Sequence, residues 1–186
     1  AHKAEGEYFY ILLSEMDFSG ELTEAHKAEM LKHKEYKKEH LVEQYNETAE
    51  NYEQIYLRVG FNDPQKCAEL AFEAISESKE TAKILDVGCG TGLVGKYLGE
   101  FGVVNIDGID GSSGMLAKAN EKQVYKSLQE FFITTPEAFP EQYTAQYDVV
   151  VASGVFAEGH LDNTGFDVIM KACKVGGFIV FATRVQ

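Results

Sequence analysis

The chain has 186 residues, a single-domain length with enough chain to bury a core. Its hydrophobic content of 45% and aromatic content of 12% fit a globular protein rather than a disordered one. The formal net charge of −13 weighs against nucleic acid as a partner, because phosphate neutralisation needs clustered Lys and Arg.

Residues 1–40 read as an N-terminal extension, partly helical. The pentapeptide "AHKAE" occurs at 1–5 and again at 25–29, too short a duplication to mark a stacked-repeat architecture. "EYFYILLSEMDF" has the β-branched and aromatic content of a strand. Its apolar core is too short, and its surroundings too acidic, for a signal peptide. No apolar run approaches the roughly 20 residues that span a bilayer, so no membrane association is expected. From Glu24 the pattern turns helical, through a Lys-, Glu- and His-rich stretch that reads as a solvated face. One helix is expected to continue into "HLVEQYNETAENYEQIYLRV", where Leu41, Tyr45, Thr48, Ala49, Tyr52, Ile55 and Tyr56 recur at helical spacing.

Asp63 then Pro64 reads as an N-cap followed by a first-turn proline, opening a helix through "QKCAELAFEAISES". "KILDV" is a short buried strand, "TGLVGKYLGEFG" a helix and "VVNIDGID" the next strand. "SSGMLAKANEK" is a helix capped by Ser112 or Ser113, "EFFITT" a third strand and "YDVVVAS" a fourth. "NTGFDVIMKACK" is a helix and "GGFIVFAT" a fifth strand. This alternation predicts an α/β, doubly wound, mainly parallel sheet with helices on both faces. Ligands of such sheets sit at the carboxyl ends of the strands. Three scattered cysteines, Cys67, Cys89 and Cys173, form no C-x-x-C pair, and the histidines no metal-binding spacing. A reducing, cytoplasmic compartment and no metal are the expectations.

The loop after the first of these strands, "DVGCGTGLVG", carries two overlapping patterns. Gly90, Gly92 and Gly95 make the G-x-G-x-x-G of a dinucleotide site, which would leave Asp86 inside an apolar strand. Gly88, Gly90 and Gly92 make the G-x-G-x-G turn of a methyl-donor site, with Asp86 at the strand's carboxyl edge. The second pattern accounts for Asp86 and leaves Gly95 as a small packing residue in the helix. A carboxylate at the next strand end, Asp110, is placed to take both hydroxyls of a ribose, which either cofactor would offer. Asp107, the competing carboxylate, falls in the body of that strand or on its exposed face.

"ILDVGCGTG", "IDGIDGSSGMLAKA", "YDVVVASGVF" and "KVGGFIVFAT", in this order, resemble the class I S-adenosylmethionine-dependent methyltransferases. "YNETAENYEQIY" resembles the helix that many members place over the donor, and "DGSSGML" with "AEGH" is most similar to the methyltransferase-like group named after the Williams–Beuren syndrome region. The resemblance covers about residues 41 to 186 and implies a Rossmann-like S-adenosylmethionine-binding domain there. It implies that Asp86, Gly88, Gly90 and Gly92 line the methionine end, with Cys89 and Thr91 giving loop backbone. Asp110 would hold the ribose, with Gly111 and Met115 flanking the adenine. Ser153 and Gly154 would face the sulfonium side, and Tyr45 and Tyr52 would close the pocket. Thr135 stands where many members have an acid that meets the adenine amino group. Glu158 and His160 are the candidate catalytic bases, their competing role being to cap the following turn.

The implied partner is a small-molecule or protein methyl acceptor, unidentified by any motif. A non-catalytic methyltransferase-like binding module is the second reading, and an NAD-dependent oxidoreductase the third. The family sheet closes with two further strands after the fifth, whereas these residues run only to "FATRVQ". The expectation is therefore a sheet lacking its last two strands, or an edge filled by "EYFYILL" as in a permuted chain.

Overall fold

The computed structural model describes residues 2–4, 7–14, 23–24, 27–28, 40–58, 60–75, 77–133, 138–156 and 163–184. The strands are β1 (His2–Ala4), β2 (Glu7–Ser14), β3 (Ile84–Val87), β4 (Ile106–Asp110), β5 (Ser127–Glu130), β6 (Tyr147–Phe156) and β7 (Cys173–Arg184). They form one sheet in the order β1-β2-β7-β6-β3-β4-β5, parallel throughout except where β1 pairs antiparallel with β2. The helices are α1 (Leu41–Thr48), α2 (Tyr52–Arg58), α3 (Asp63–Ala74), α4 (Leu93–Glu100), α5 (Ser113–Glu121) and α6 (Asn163–Ala172).

Strand periodicity divides the core. Ile84, Ile106, Val149, Val151, Val180 and Ala182 point to one face and pack on Cys67, Ala68 and Ala71 of α3 and Val94 and Leu98 of α4. Leu85, Val87, Ile109, Val150, Ala152 and Ile179 point to the other, against Val168, Ile169 and Ala172 of α6. Both faces of the central strand are therefore covered, and all four β3 residues are buried. Asp86 lies among them at 1% exposure, on the α3–α4 face.

The edge beyond β7 is occupied by β2, in parallel register from Tyr8↔Phe178 to Ser14↔Arg184. "EYFYILL" thus fills that edge, as in the permuted arrangement. Three expectations fail in local detail. Helix α1 does not run into α2: Thr48 turns its hydroxyl back onto the Gln44 carbonyl (3.1 Å), and the Asn51 N–H closes a turn on the Thr48 carbonyl (3.0 Å). The cap of α3 is Asn62, and Asp63 is instead its buried first residue.

The third core strand is Ser127–Glu130 rather than "EFFITT" at 130–135. It pairs Asp107↔Ser127 through Asp110↔Glu130, and pairing ends where β4 ends. The apolar residues that follow serve packing: Phe131 and Ile133 lie on the α6-side core, and Phe132 lies against Gly111. Asp107, half-buried in β4, accepts from Ser127 Oγ (2.7 Å) and Tyr147 OH (3.0 Å), a purely internal use.

The packing role anticipated for Gly95 has a specific cause. Tyr125, in the α5–β5 connection, lays its ring across Gly92, Gly95 and Gly108. A Cβ at Gly92 would stand 3.0 Å from Tyr125 Cε2, one at Gly95 2.7 Å from the same atom, and one at Gly108 3.0 Å from Cδ1. Gly→Ala inside a helix ordinarily stabilises by roughly 0.5–1 kcal/mol. Gly95→Ala is instead predicted to destabilise by about 1–3 kcal/mol, because the added methyl overlaps a seated ring. Urea denaturation checks the sign; a stabilised variant would mean that the ring does not occupy this socket.

Candidate functional site

The carboxyl ends of β3, β4 and β6 meet at the loop between β3 and α4. Gly88, Gly90 and Gly92 adopt φ of 63°, 53° and 85°, a left-handed path open to glycine that turns the chain sharply into α4. The Cys89 N–H donates to the Ile109 carbonyl (3.0 Å) and the Gly92 N–H to the Cys89 carbonyl (2.8 Å), so the loop is tied to β4 and to itself. A Cβ at Gly88 would collide with Val155 of β6, whereas one at Gly90 would meet nothing within 4 Å. The loop is packed tightly at its start and open at its middle.

Asp110 holds this loop to the next. Its Oδ2 accepts from the Gly90 N–H (2.8 Å) and its Oδ1 from the Ser112 N–H (2.8 Å). Burial raises its pKa, and these two amides oppose the rise. Asp86 is harder to accommodate. Its Oδ2 accepts from Tyr125 OH (2.7 Å), while its Oδ1 is buried with no hydrogen-bond partner. Burial pushes this carboxyl up to about 7; the Tyr125 hydrogen bond opposes the rise and the Asp110 charge adds to it. An unpaired buried acceptor is costly unless something polar reaches it.

Around this pair lie groups that are neutral at physiological pH. The Cys67 thiol is pushed up to about 12, by burial and then by the charge of Asp63, and burial raises Cys89 well above its ordinary value. Neither is a nucleophile. Ser153 Oγ is buried beside the Cys67 sulfur, too weak a partner to satisfy a hydroxyl. Gly154, at φ 74°, lies in the β6 bulge between Ser153 and Phe156, inside the strand rather than after it, and faces Phe61.

Helices α1 and α2 lean over the α5 end of this region. Asn46 Oδ1 accepts from Ser112 Oγ (2.7 Å) and from the Gly114 N–H (2.8 Å). Ser112, the cap of α5, in turn accepts from the Met115 N–H (3.1 Å). Glu50 pairs with Lys118 (2.8 Å) and Glu53 with Lys122 (2.5 Å). Tyr45 and Tyr52 sit 6.2 Å apart between ring centroids, and Tyr52 stacks on Tyr56 at 4.4 Å.

Asp86, Gly88, Cys89, Gly90, Thr91, Gly92, Asp110 and Gly111 therefore converge on one loop system. Ser153 and Gly154 flank it, and Tyr45 and Tyr52 belong to the helices docked on its rim. Met115 is buried beneath the rim at 2% exposure, and Thr91 is buried in the loop at 3%. Thr135, Glu158 and His160 lie outside the described residues. Sequence reasoning missed Tyr125 and Asn46. The glycines at 95 and 108, which the methyl-donor pattern does not require, were the available signal for a large side chain nearby.

Because the folded carboxyl of Asp86 is raised from 3.8 to about 7, its contribution favours folding below the unfolded value and is lost as pH rises through the folded one. The unfolding free energy of the unliganded protein should fall by up to about 1.4 kcal/mol per pH unit across that window, and Asp86→Asn should flatten the slope. Urea titrations at several pH values measure this; an unchanged slope in the variant would refute the assignment.

The family described as "Methyltransferase domain" matches residues 85–179, slightly more than half the chain. Methyltransferase-like protein 27 of Homo sapiens is 29% identical over 143 residues, covering 76% of this chain and 57% of its own. Malonyl-[acyl-carrier protein] O-methyltransferase 2 of Ilyobacter polytropus is 32% identical over 110 residues, covering 59% and 42%. The chain spans about half the length of the curated relatives it matches. Among solved structures, DhpI in its SAH complex superposes with a TM-score of 0.56 at 23% identity over 77% of this chain and 67% of its own. Magnesium protoporphyrin IX methyltransferase of Synechocystis PCC 6803 with bound SAM gives 0.52 at 18% identity over 72% and 68%. These likenesses are of fold, and with the domain match they fix the family: the chain belongs to the methyltransferase-domain family and has the class I methyltransferase fold.

Proposed function

We propose that residues 41–186 bind S-adenosylmethionine at the β3–α4 loop and that the protein transfers the methyl group to a small-molecule or protein acceptor. The observation that carries this reading is the buried Asp86 Oδ1, left without a hydrogen-bond partner beside an open glycine turn. A carboxylate oxygen there fits an ammonium group, such as that of the donor's methionine end. Gly90 gives room for close approach, and Asp110, at the end of β4, retains lone pairs for ribose hydroxyls beyond those used by its two amides. Gly111 and Met115 would flank the adenine and Thr135 would meet its amino group. Ser153 and Gly154 would face the sulfonium, under cover of Tyr45 and Tyr52.

When bound, the sulfonium donor supplies an activated methyl group, so the chemistry asks little covalent work of the protein. The chain's own share is to orient the acceptor in line, exclude water and, for acceptors that lose a proton, provide a base. Glu158 and His160 are assigned that last role. The acidity of the chain argues for an acceptor other than nucleic acid. The buried Cys67, Cys89 and Cys173, none of them in a disulfide, support a reducing, cytoplasmic setting. Among the described residues no helix is long and apolar enough to cross a membrane.

One observation favours a second reading, a non-catalytic binding module: both oxygens of Asp110 are already engaged by backbone amides. Transfer of a labelled methyl group from the donor to any acceptor, including the protein itself, would exclude it.

S-adenosylhomocysteine at about 100 times its dissociation constant should stabilise the fold by about 2.7 kcal/mol, or roughly 5–10 °C in melting temperature. Asp110→Ala should abolish the shift and Asp110→Asn, which keeps one acceptor oxygen, should retain part of it. Thermal denaturation with and without the ligand reads this, and no shift in the folded wild type would defeat the proposal.

A further inference from the structure

We infer that Tyr125 is a positioning residue for donor binding, holding Asp86 in one orientation and in its carboxylate form so that Oδ1 receives the ligand's ammonium group. This rests on the proposed function of the β3–α4 loop and adds a residue that no motif of the fold supplies.

The geometry leaves the phenol little choice. Its oxygen accepts from the Gly95 N–H (3.2 Å), a donor fixed in the first turn of α4. Its single hydrogen is then directed to Asp86 Oδ2 at 2.7 Å. With Oδ2 committed, the remaining acceptor capacity of the buried carboxyl lies on Oδ1. The ring itself cannot drift, because Gly92, Gly95 and Gly108 leave a slot that any side chain at those positions would fill.

The groups facing Asp86 make this side-chain hydrogen bond matter. They are Tyr125, the Gly95 amide, which also favours the charged form, Asp110 at the end of β4, Cys89 in the glycine loop and Cys67 on α3. None of the ion pairs among the described residues includes Asp86. Both thiols are neutral and Asp110 repels, so the Tyr125 hydroxyl is the one side chain favouring the charged state that an ammonium group requires.

Calorimetric titration of S-adenosylhomocysteine into the whole chain, from about pH 5.5 to about pH 8.5, tests the assignment on wild type and Tyr125→Phe. If the ligand binds the ionised carboxyl, wild-type affinity rises with pH and levels off above about 7. Tyr125→Phe keeps the ring and loses the hydroxyl. Its profile should move up by about one pH unit, which makes binding roughly tenfold weaker on the rising limb and nearly equal to wild type at the top of the range. A profile superimposable on wild type, or one lowered by the same factor at every pH, overturns the inference, since the second outcome is what lost packing alone would produce. Asp86→Asn is the companion variant and should show affinity that does not vary with pH over this range; a wild-type slope in it also overturns the inference, whether or not Tyr125→Phe folds. Wild-type protein that binds no ligand at any pH overturns the proposed function and this inference with it, an outcome recognised before any substitution is made.

Discussion

A carboxyl group stands in the middle strand of a sheet whose two faces are both covered, and much of the site is arranged around that constraint. Asp86 shares β3 with Ile84, Leu85 and Val87, all fully buried. An isolated charge there would cost far more than an exposed one. The protein meets the cost in part: one oxygen takes the Tyr125 hydroxyl, the neighbouring thiols are neutral, and the carboxyl titrates near neutrality instead of in the acid range. The other oxygen is left unsatisfied. Interiors seldom tolerate such a group without a reason, and a cationic ligand group is one that would balance it.

From Asp86 the hydrogen bonding passes outward through a second carboxylate. Asp110 bridges the amides of Gly90 and Ser112, making the loops after β3 and β4 one body. Ser112 then donates to Asn46, which also takes the Gly114 amide, so α1 is held by the same loops that shape the site. The ion pairs from Glu50 and Glu53 add to this, but they are partly exposed and contribute little individually. Asn46 sets the register between the overlying helices and α5; the charges reinforce it.

Much of this was legible in the residues, for physical reasons that also mark where reading fails. The buried strands and the helices between them follow from periodicity and from glycine at the turns, and Asp86 and Asp110 stand out as charges where apolar strands end. Tyr125 does not stand out, since it falls in an irregular connection and acts through residues distant in sequence. The apolar triplet at 131–133 looked like a strand because its burial comes from packing at the sheet's end, whereas the true edge strand "SLQE" is polar, as an edge facing water should be. The break between α1 and α2 depends on a hydroxyl turning back on its own helix, which side-chain periodicity does not report. The duplicated "AHKAE" makes the point most directly: His2–Ala4 of the first copy is a strand, while Lys27 and Ala28 of the second are helical. Five residues do not choose their conformation; the sheet edge at hand does.

The pairing of β2 with β7 bears on how the chain is made. Tyr8 lies opposite Phe178, so β2 pairs with a strand that leaves the ribosome about 170 residues later. Folding during synthesis can complete β3, β4 and β5 with their helices while β2, paired with β1 on one side, has no strand on the other. Until β7 emerges, "EYFYILL" is an apolar stretch whose β7-facing backbone donors and acceptors are open to any other strand. The β7-facing edge of β2 is thus a segment in need of protection during translation, and its docking waits for β7.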